Sequence, residues 1–423
     1  MRGADILDII IVGGGAAGLA TAIFARRAAP SLAVTVLEGA RRPGAKILVS
    51  GGSRCNVTNT EVTERDFWGG RSTIVRQVLR AFGAADAAAF FAELGVALHE
   101  EADGKLFPDS NRSRDVLDAL LREAASRGVS LLTNQRVTGV ERDERDGGGF
   151  RVLTANGDRR ARCVVLATGG QSLPKSGSDG AGYGFAGGLG HTIVAATPAL
   201  TPLRLDEASS IHRALAGVTD QVEIAIWRAG RIDARLRGSI VWTHFGISGP
   251  AAMNASRHWL RASLEQADAR ATMSFCPGLS FADVDSRLVR AALESPRASV
   301  GTALSSLVPA SVAAAILGSL GVDSSTTLAH LSRHDRRHLA RALVEWPLPV
   351  AGTRGYNEAE ATAGGVALDE IDPRTMESRV CQGLFLVGEV LDVDGRIGGF
   401  NFQWAWSTAF VAARGLVLRC VPS

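Results

Sequence analysis

Residues 8–18, DIIIVGGGAAG, restrict the fold more than any other stretch of this chain. The apolar run 8–12 is too short for a helix and reads as a central parallel strand, buried on both faces. Glycines 13–15 break it, and an alanine-rich helix is predicted over Ala16–Ala28. Residues 33–38 (AVTVLE) read as a second strand. Strand, helix and strand within about 30 residues form a βαβ unit.

Gly13, Gly15 and Gly18 fall in a GxGxxG frame. Gly13 permits the tight turn, Gly15 lets a diphosphate approach bare backbone, and Gly18 lets the helix pack close to the strand. The helix start at Ala16 and Ala17 offers free N–H groups and the positive end of its dipole. Glu38 ends the second strand, followed by Gly39, and its carboxylate suits the ribose hydroxyls. A bound dinucleotide is therefore expected.

FAD and NAD share this fingerprint, and distant segments favour FAD. ATGG (167–170) closes another buried strand with Thr168, Gly169 and Gly170, small enough for backbone to lie near a nucleotide. VGE (387–389) closes a C-terminal strand, and Glu389 after Gly388 suits a ribityl hydroxyl. Strands from both ends of the chain serving one extended ligand match FAD. NAD(P)H is then expected only as a transient donor, because GAGYGFAGG (180–188) does not directly follow a strand.

Further candidates lie in two glycine-rich stretches. In the segment 42–59, read as a loop, Lys46, Arg54 and Asn56 are donors set around Gly51 and Gly52. Arg54 suits pyrophosphate oxygens, and Asn56 suits the edge of an isoalloxazine. Cys55 reads as a small packing residue; as a redox thiol it lacks a CxxxxC partner. Near the C-terminus, Gly398 and Gly399 lead into a helix expected over 403–418. The N–H groups from Gly399 to Phe402, with Asn401 among them, are candidates to face the flavin N1/C2 carbonyl and stabilise a reduced ring. Val137 and Asp392 complete the candidate cofactor set. Trp404 and Trp406 read as core. The catalytic residues stay unknown, with His244 in THFGISGP and Cys55 as weak candidates. His330, His334 and His338 recur at helical spacing among arginines and read as a solvated face, so no metal site is expected.

With 423 residues, two or three domains are expected. Residues 218–242 alternate as strands and 284–345 are mostly helical, which marks 197–351 as an insert between 1–196 and 352–423. The expected fold class is α/β, a Rossmann-like FAD-binding domain carrying a β-rich and helical insert. Helices are also predicted over 71–94 and 113–127. Strands are predicted through 129–170, with a solvated turn at 141–149. A formal net charge of +3 gives no reason to expect a nucleic-acid partner. Five scattered cysteines without a CxxC do not form a disulfide framework and fit a reducing cytoplasm. The apolar stretch 6–25 is interrupted by Asp8 and three glycines, so it is read as strand and helix rather than a signal peptide. No membrane span is expected, and the reading is of a soluble protein.

The loop KILVSGGSRCNVTN (46–59), the segment 167–191, THFGISGP (243–250), TAGGV (362–366) and residues 375–415 together resemble the HI0933-like flavoproteins, the family related to aminoacetone oxidase and bile-acid dienone reductase. That resemblance implies bound FAD and a glutathione-reductase-like architecture. Ser53 stands where the family commonly has glycine. The expected activity is transfer of a hydride or electron pair between FAD and a small organic substrate, either as an NAD(P)H-using reductase or as an oxygen-using oxidase. The rival reading is a flavin-containing binding or redox-sensing protein without turnover.

Overall fold

The computed structural model describes residues 6–143, 148–207, 211–265 and 268–421; part of the turn expected at 141–149 lies outside them. The chain divides into two compact units, Met1–Thr197 with Glu360–Ser423, and Pro198–Ala359. Each is built round its own buried apolar cluster.

In the first unit, β1 (Leu7–Val12), α1 (Ala16–Ala28) and β2 (Val34–Leu37) form the βαβ start. Ile9, Ile10 and Ile11 are fully buried, as a strand covered on both faces requires. A parallel sheet runs Ser130–Leu132, β2, β1, Arg159–Leu166, Leu384–Leu386. The antiparallel strand Phe150–Thr154 pairs with the first half of Arg159–Leu166, and Val137–Arg142 lies beyond it.

The register decides where a site can be. Val12 pairs with Leu37 and with Leu166, and Leu166 pairs with Leu386. Four strands thus end at one level. The next residues in the chain, Gly13, Glu38, Ala167 and Val387, emerge along one carboxyl edge, where open α/β sheets bind ligands. The Phe400–Cys420 helix packs along α1.

The second unit holds an antiparallel sheet in the order Trp346–Leu348, Ala269–Ser274, Thr219–Arg228, Arg231–Thr243, Gly246–Ser248, Leu203–Leu205, Val350–Thr353. Its two edge strands are consecutive in the chain, joined through Pro349 alone. The sheet must therefore curl until its edges approach, as a barrel does. Helices Pro250–Leu264, Phe281–Glu294, Ala310–Leu320 and Arg333–Val344 supply the helical part. Residues 350–353 pair with Leu203–Leu205, so the strand that the expected boundary at 351/352 divides lies whole in the second unit.

Three local expectations are corrected. Residues 71–94 are two helices, Ser72–Ala81 and Ala84–Glu93. The segment 42–59 is not all loop: Ala45–Ser53 is helical until Ser50–Gly52 leave helical geometry. His330 precedes the Arg333–Val344 helix, so the three histidines do not share one helical face. Among the described residues no cluster of metal-ligating side chains exists.

Candidate functional site

A Cβ added at Gly13 would lie 2.4 Å from the Ala167 carbonyl oxygen, and one at Gly18 would lie 2.0 Å from the Gly13 carbonyl oxygen. Both positions are glycine because the protein packs there. Gly15 differs: a Cβ there meets nothing within 4 Å. It faces open space at the start of α1, where a diphosphate needs bare backbone. That helix start has no side-chain cap and no acidic residue in its first turn, so its free N–H groups are left for a ligand.

Glu38 shapes the neighbouring turn. Its Oε2 accepts from Gly14 N–H at 2.8 Å and its Oε1 from Ala40 N–H at 2.7 Å. Each oxygen keeps a second lone pair for a ribose hydroxyl. Gly39 lies under Arg136, whose guanidinium pairs with Asp179 at 2.6 Å, and Val137 comes next in the chain, buried. Thr168, Gly169 and Gly170 continue from Arg159–Leu166. The side-chain oxygens of Ser176 and Ser178 are buried without partners in the loop after ATGG, and a Cβ on Gly169 would touch Ser178. These two serines join the candidate site. Their only sequence signal was the run of small polar residues at 176–180.

The VGE turn touches the other two glycine regions. A Cβ on Gly388 would meet Ala17 of α1 at 2.9 Å, with Ala405 of the last helix at 4.0 Å. Glu389 accepts from Lys46 Nζ at 2.5 Å and from Thr362 N–H at 2.8 Å. Thr362 Oγ1 in turn accepts from the N–H groups of Gln171 and Ser172. TAGGV therefore ties the ATGG turn to the VGE turn. Glu360, beside it, was missed in the sequence, where no motif contains it. It is exposed, the first residue of the first unit's C-terminal part. Asp392 accepts through its backbone oxygen from Gly70 N–H.

In the segment after Lys46, Gly51 and Gly52 adopt left-handed backbone. Asn56 is buried with its Oδ1 unpartnered. Arg54 is engaged elsewhere: it pairs with Glu101 at 2.6 Å and stacks 4.1 Å over Phe107. Cys55 is corrected as a catalytic candidate. It is fully buried, and burial pushes its thiol up to about 12, so no reactive thiolate forms near neutral pH. Ser53 has φ 67°. The residue that departs from the family pattern thus sits where a side chain strains the backbone. Ser53→Gly is expected to stabilise the protein by about 1 kcal/mol, read as a raised urea midpoint with unchanged slope.

Gly399 caps the Phe400–Cys420 helix, again with no acidic residue in the first turn. Gly398 precedes it, held through its carbonyl by Asn59 Nδ2 at 3.1 Å. The N–H groups of Phe400, Asn401 and Phe402 form a second uncapped helix start. The Asn401 side chain is not free: it donates to and accepts from the Gly395 backbone at 3.0 and 2.9 Å. Phe402 stacks on Trp406, whose Nε1 donates to Val57 O, and Trp404 is buried against Phe67. Both tryptophans are core. His244 belongs to the second unit, exposed at a pocket of that unit.

The first unit thus has a dinucleotide cradle open at Gly15, two acid-free helix starts, and buried unpartnered oxygens on Asn56, Ser176 and Ser178. The residues present fit FAD. This is the architecture of a Rossmann-type, FAD-dependent oxidoreductase. Residues 7–415 match the HI0933-like protein Rossmann domain, and the chain belongs to that family. A 3-dehydro-bile acid delta(4,6)-reductase of Clostridium scindens is 32% identical over 410 residues, 97% of this chain and 98% of its own. A ribosomal RNA dihydrouridine synthase of Haemophilus influenzae is 32% identical over 405 residues, 96% of this chain and 97% of its own. The FrdA chain of E. coli quinol fumarate reductase superposes with a TM-score of 0.50 at 17% identity, covering 98% of this chain and 70% of that one, which is a likeness of fold. No helix among the described residues is long and apolar enough to cross a membrane.

Proposed function

We propose that the protein is a reductase that saturates a carbon–carbon double bond conjugated to a carbonyl in a small organic substrate, with NAD(P)H as a transient electron donor. One observation carries the direction of the reaction. Two full-length relatives at 32% identity are named for reactions of one chemical kind: a 3-dehydro-bile acid delta(4,6)-reductase and a dihydrouridine synthase. Both names describe saturation of a double bond in conjugation with a carbonyl.

When bound, FAD supplies the hydride chemistry. The chain's own residues hold and tune it. Gly15 and the α1 N–H groups would hold the diphosphate, and Glu38 the ribose. Glu389 would take a ribityl hydroxyl, kept in orientation by Lys46 and Thr362. The uncapped start at Phe400–Phe402 would favour negative charge on the reduced ring, and Asn56 Oδ1 would accept from a ring N–H.

Anaerobic mixing with NADPH or NADH is expected to bleach the flavin band, and a 3-oxo-4,6-dienoic steroid is expected to restore it. Slow bleaching by both donors contradicts the proposal. So does bleaching by an organic substrate followed by reoxidation with oxygen alone, which is the behaviour of an oxidase. A second reading, reduction of a uridine in RNA, is favoured by the name of the Haemophilus relative. The same assay with an unmodified ribosomal RNA transcript as acceptor separates the two.

A further inference from the structure

The second unit contains a pocket of about 420 Å³ lined by Arg204, Leu205, Glu207, Arg213, His244 and Phe245. Its wall is rigid. Gly246 approaches the Leu203–Leu205 strand so closely that a Cβ would lie 2.3 Å from the Leu203 carbonyl oxygen, and Leu205 N–H donates to Phe245 O at 3.0 Å. His212, fully buried, lies close to the His244 backbone. The THFGISGP turn is thereby fixed with His244 outward and Phe245 half-buried, backed by Arg354 at 4.7 Å over its ring.

The charges in this pocket are unequal. Arg213 is neutralised by Glu207 at 2.6 Å. Arg204, exposed on its strand, has no carboxylate partner among the described residues. A single uncompensated guanidinium matches one carboxylate in a two-point fork. One uncompensated charge does not balance a phosphate dianion, and Leu205 with Phe245 offers an apolar floor. The volume suits a ligand of moderate size.

We propose that this pocket binds an organic monocarboxylate with an apolar body, with Arg204 gripping the carboxylate and Phe245 and Leu205 contacting the body. The pocket belongs to the second unit alone, and it names an apolar acid as a ligand of this chain; only the further step, that such an acid carries the enone, rests on the reductase reading.

Calorimetric titration of the purified full-length oxidised protein tests it, with cholate below its micelle concentration as the probe. Cholate is expected to bind, its neutral methyl ester about tenfold more weakly, and R204A to lower cholate affinity about tenfold, to the level of the ester. Arg204 is exposed, so the variant keeps its fold. Three results overturn the proposal: no cholate binding, cholate binding untouched by R204A, or Arg204-dependent binding of uridine monophosphate tighter than that of cholate. The titration needs no turnover. A protein that binds cholate through Arg204 yet reduces no enone keeps the pocket and loses the reductase reading, and the reverse result separates them the other way.

Discussion

Gly15→Val is expected to yield folded, colourless protein. The backbone at Gly15 has φ −83° and ψ −167°, ordinary extended geometry for any residue. Its Cβ position meets no protein atom within 4 Å. The fold therefore has no objection to a side chain there, and melting behaviour should match that of the parent stripped of flavin. The ligand does object. A valine fills the space where a diphosphate rests on the N–H groups of α1. An overpacking cost of about 3 kcal/mol corresponds to a hundredfold loss of affinity, and a direct clash with phosphate costs more. Gly18→Val is the contrasting control. Its side chain would collide with the Gly13 carbonyl oxygen, 2.0 Å from the Cβ position, so α1 must move off β1 and the whole unit loses stability. The pair is read by flavin absorbance per protein together with circular dichroism. Yellow G15V protein with normal flavin content contradicts the cradle.

Asp220→Asn is expected to stabilise the second unit at neutral pH by about 2 kcal/mol. Asp220 lies on the Thr219–Arg228 strand, buried. Its Oδ1 accepts from Gln221 N–H at 2.8 Å and its Oδ2 has no partner. Burial raises its carboxyl from 3.8 to about 6, opposed by the Gln221 bond. The folded-state value lies above the unfolded one, so the folded state holds the proton more tightly. Its contribution is fully present below about pH 4 and is lost as pH rises through 6. Above 6 the ionised carboxylate is a fixed cost to the fold. The amide removes the charge and keeps the acceptor for Gln221. Urea unfolding of D220N against the parent should show equal midpoints at pH 4 and a higher midpoint for the variant at pH 7.5. Equal midpoints at both values contradict a carboxyl strained by burial.

The elements that a sequence periodicity encodes were legible. α1 matches its expected limits, Ala16–Ala28, because a glycine run and an alanine-rich stretch bound it locally. The buried strands were legible as apolar runs at 8–12, 33–38 and 163–166, where the observed strands are 7–12, 34–37 and 159–166. The assembly of the cradle needed more. Gly388 meets Ala17 only because Leu386 pairs level with Leu166, and Leu166 with Val12, a register no local pattern carries. Arg54 read as a free donor because Glu101, its partner, is 47 residues away, at the end of the strand Leu98–Glu101. Asn401 read as a donor through its backbone N–H; that its side chain closes on Gly395 six residues back is a bond set by the tertiary turn. Ser176 and Ser178 gave little signal because an unpartnered hydroxyl is visible only once burial is known. The limits of the insert moved for the same reason: residues 350–353 return to Leu203–Leu205 through pairing that composition does not announce.

The central claim is that an FAD diphosphate rests on bare backbone where β1 turns into α1. Diffraction from crystals of the yellow protein tests it most directly. The expected result is density for a diphosphate with oxygens about 2.9 Å from the N–H groups of residues 15–17, with the ring beside the start of the Phe400–Cys420 helix. Density for flavin in another place, or a protein that crystallises without any flavin after purification with excess FAD, would contradict it.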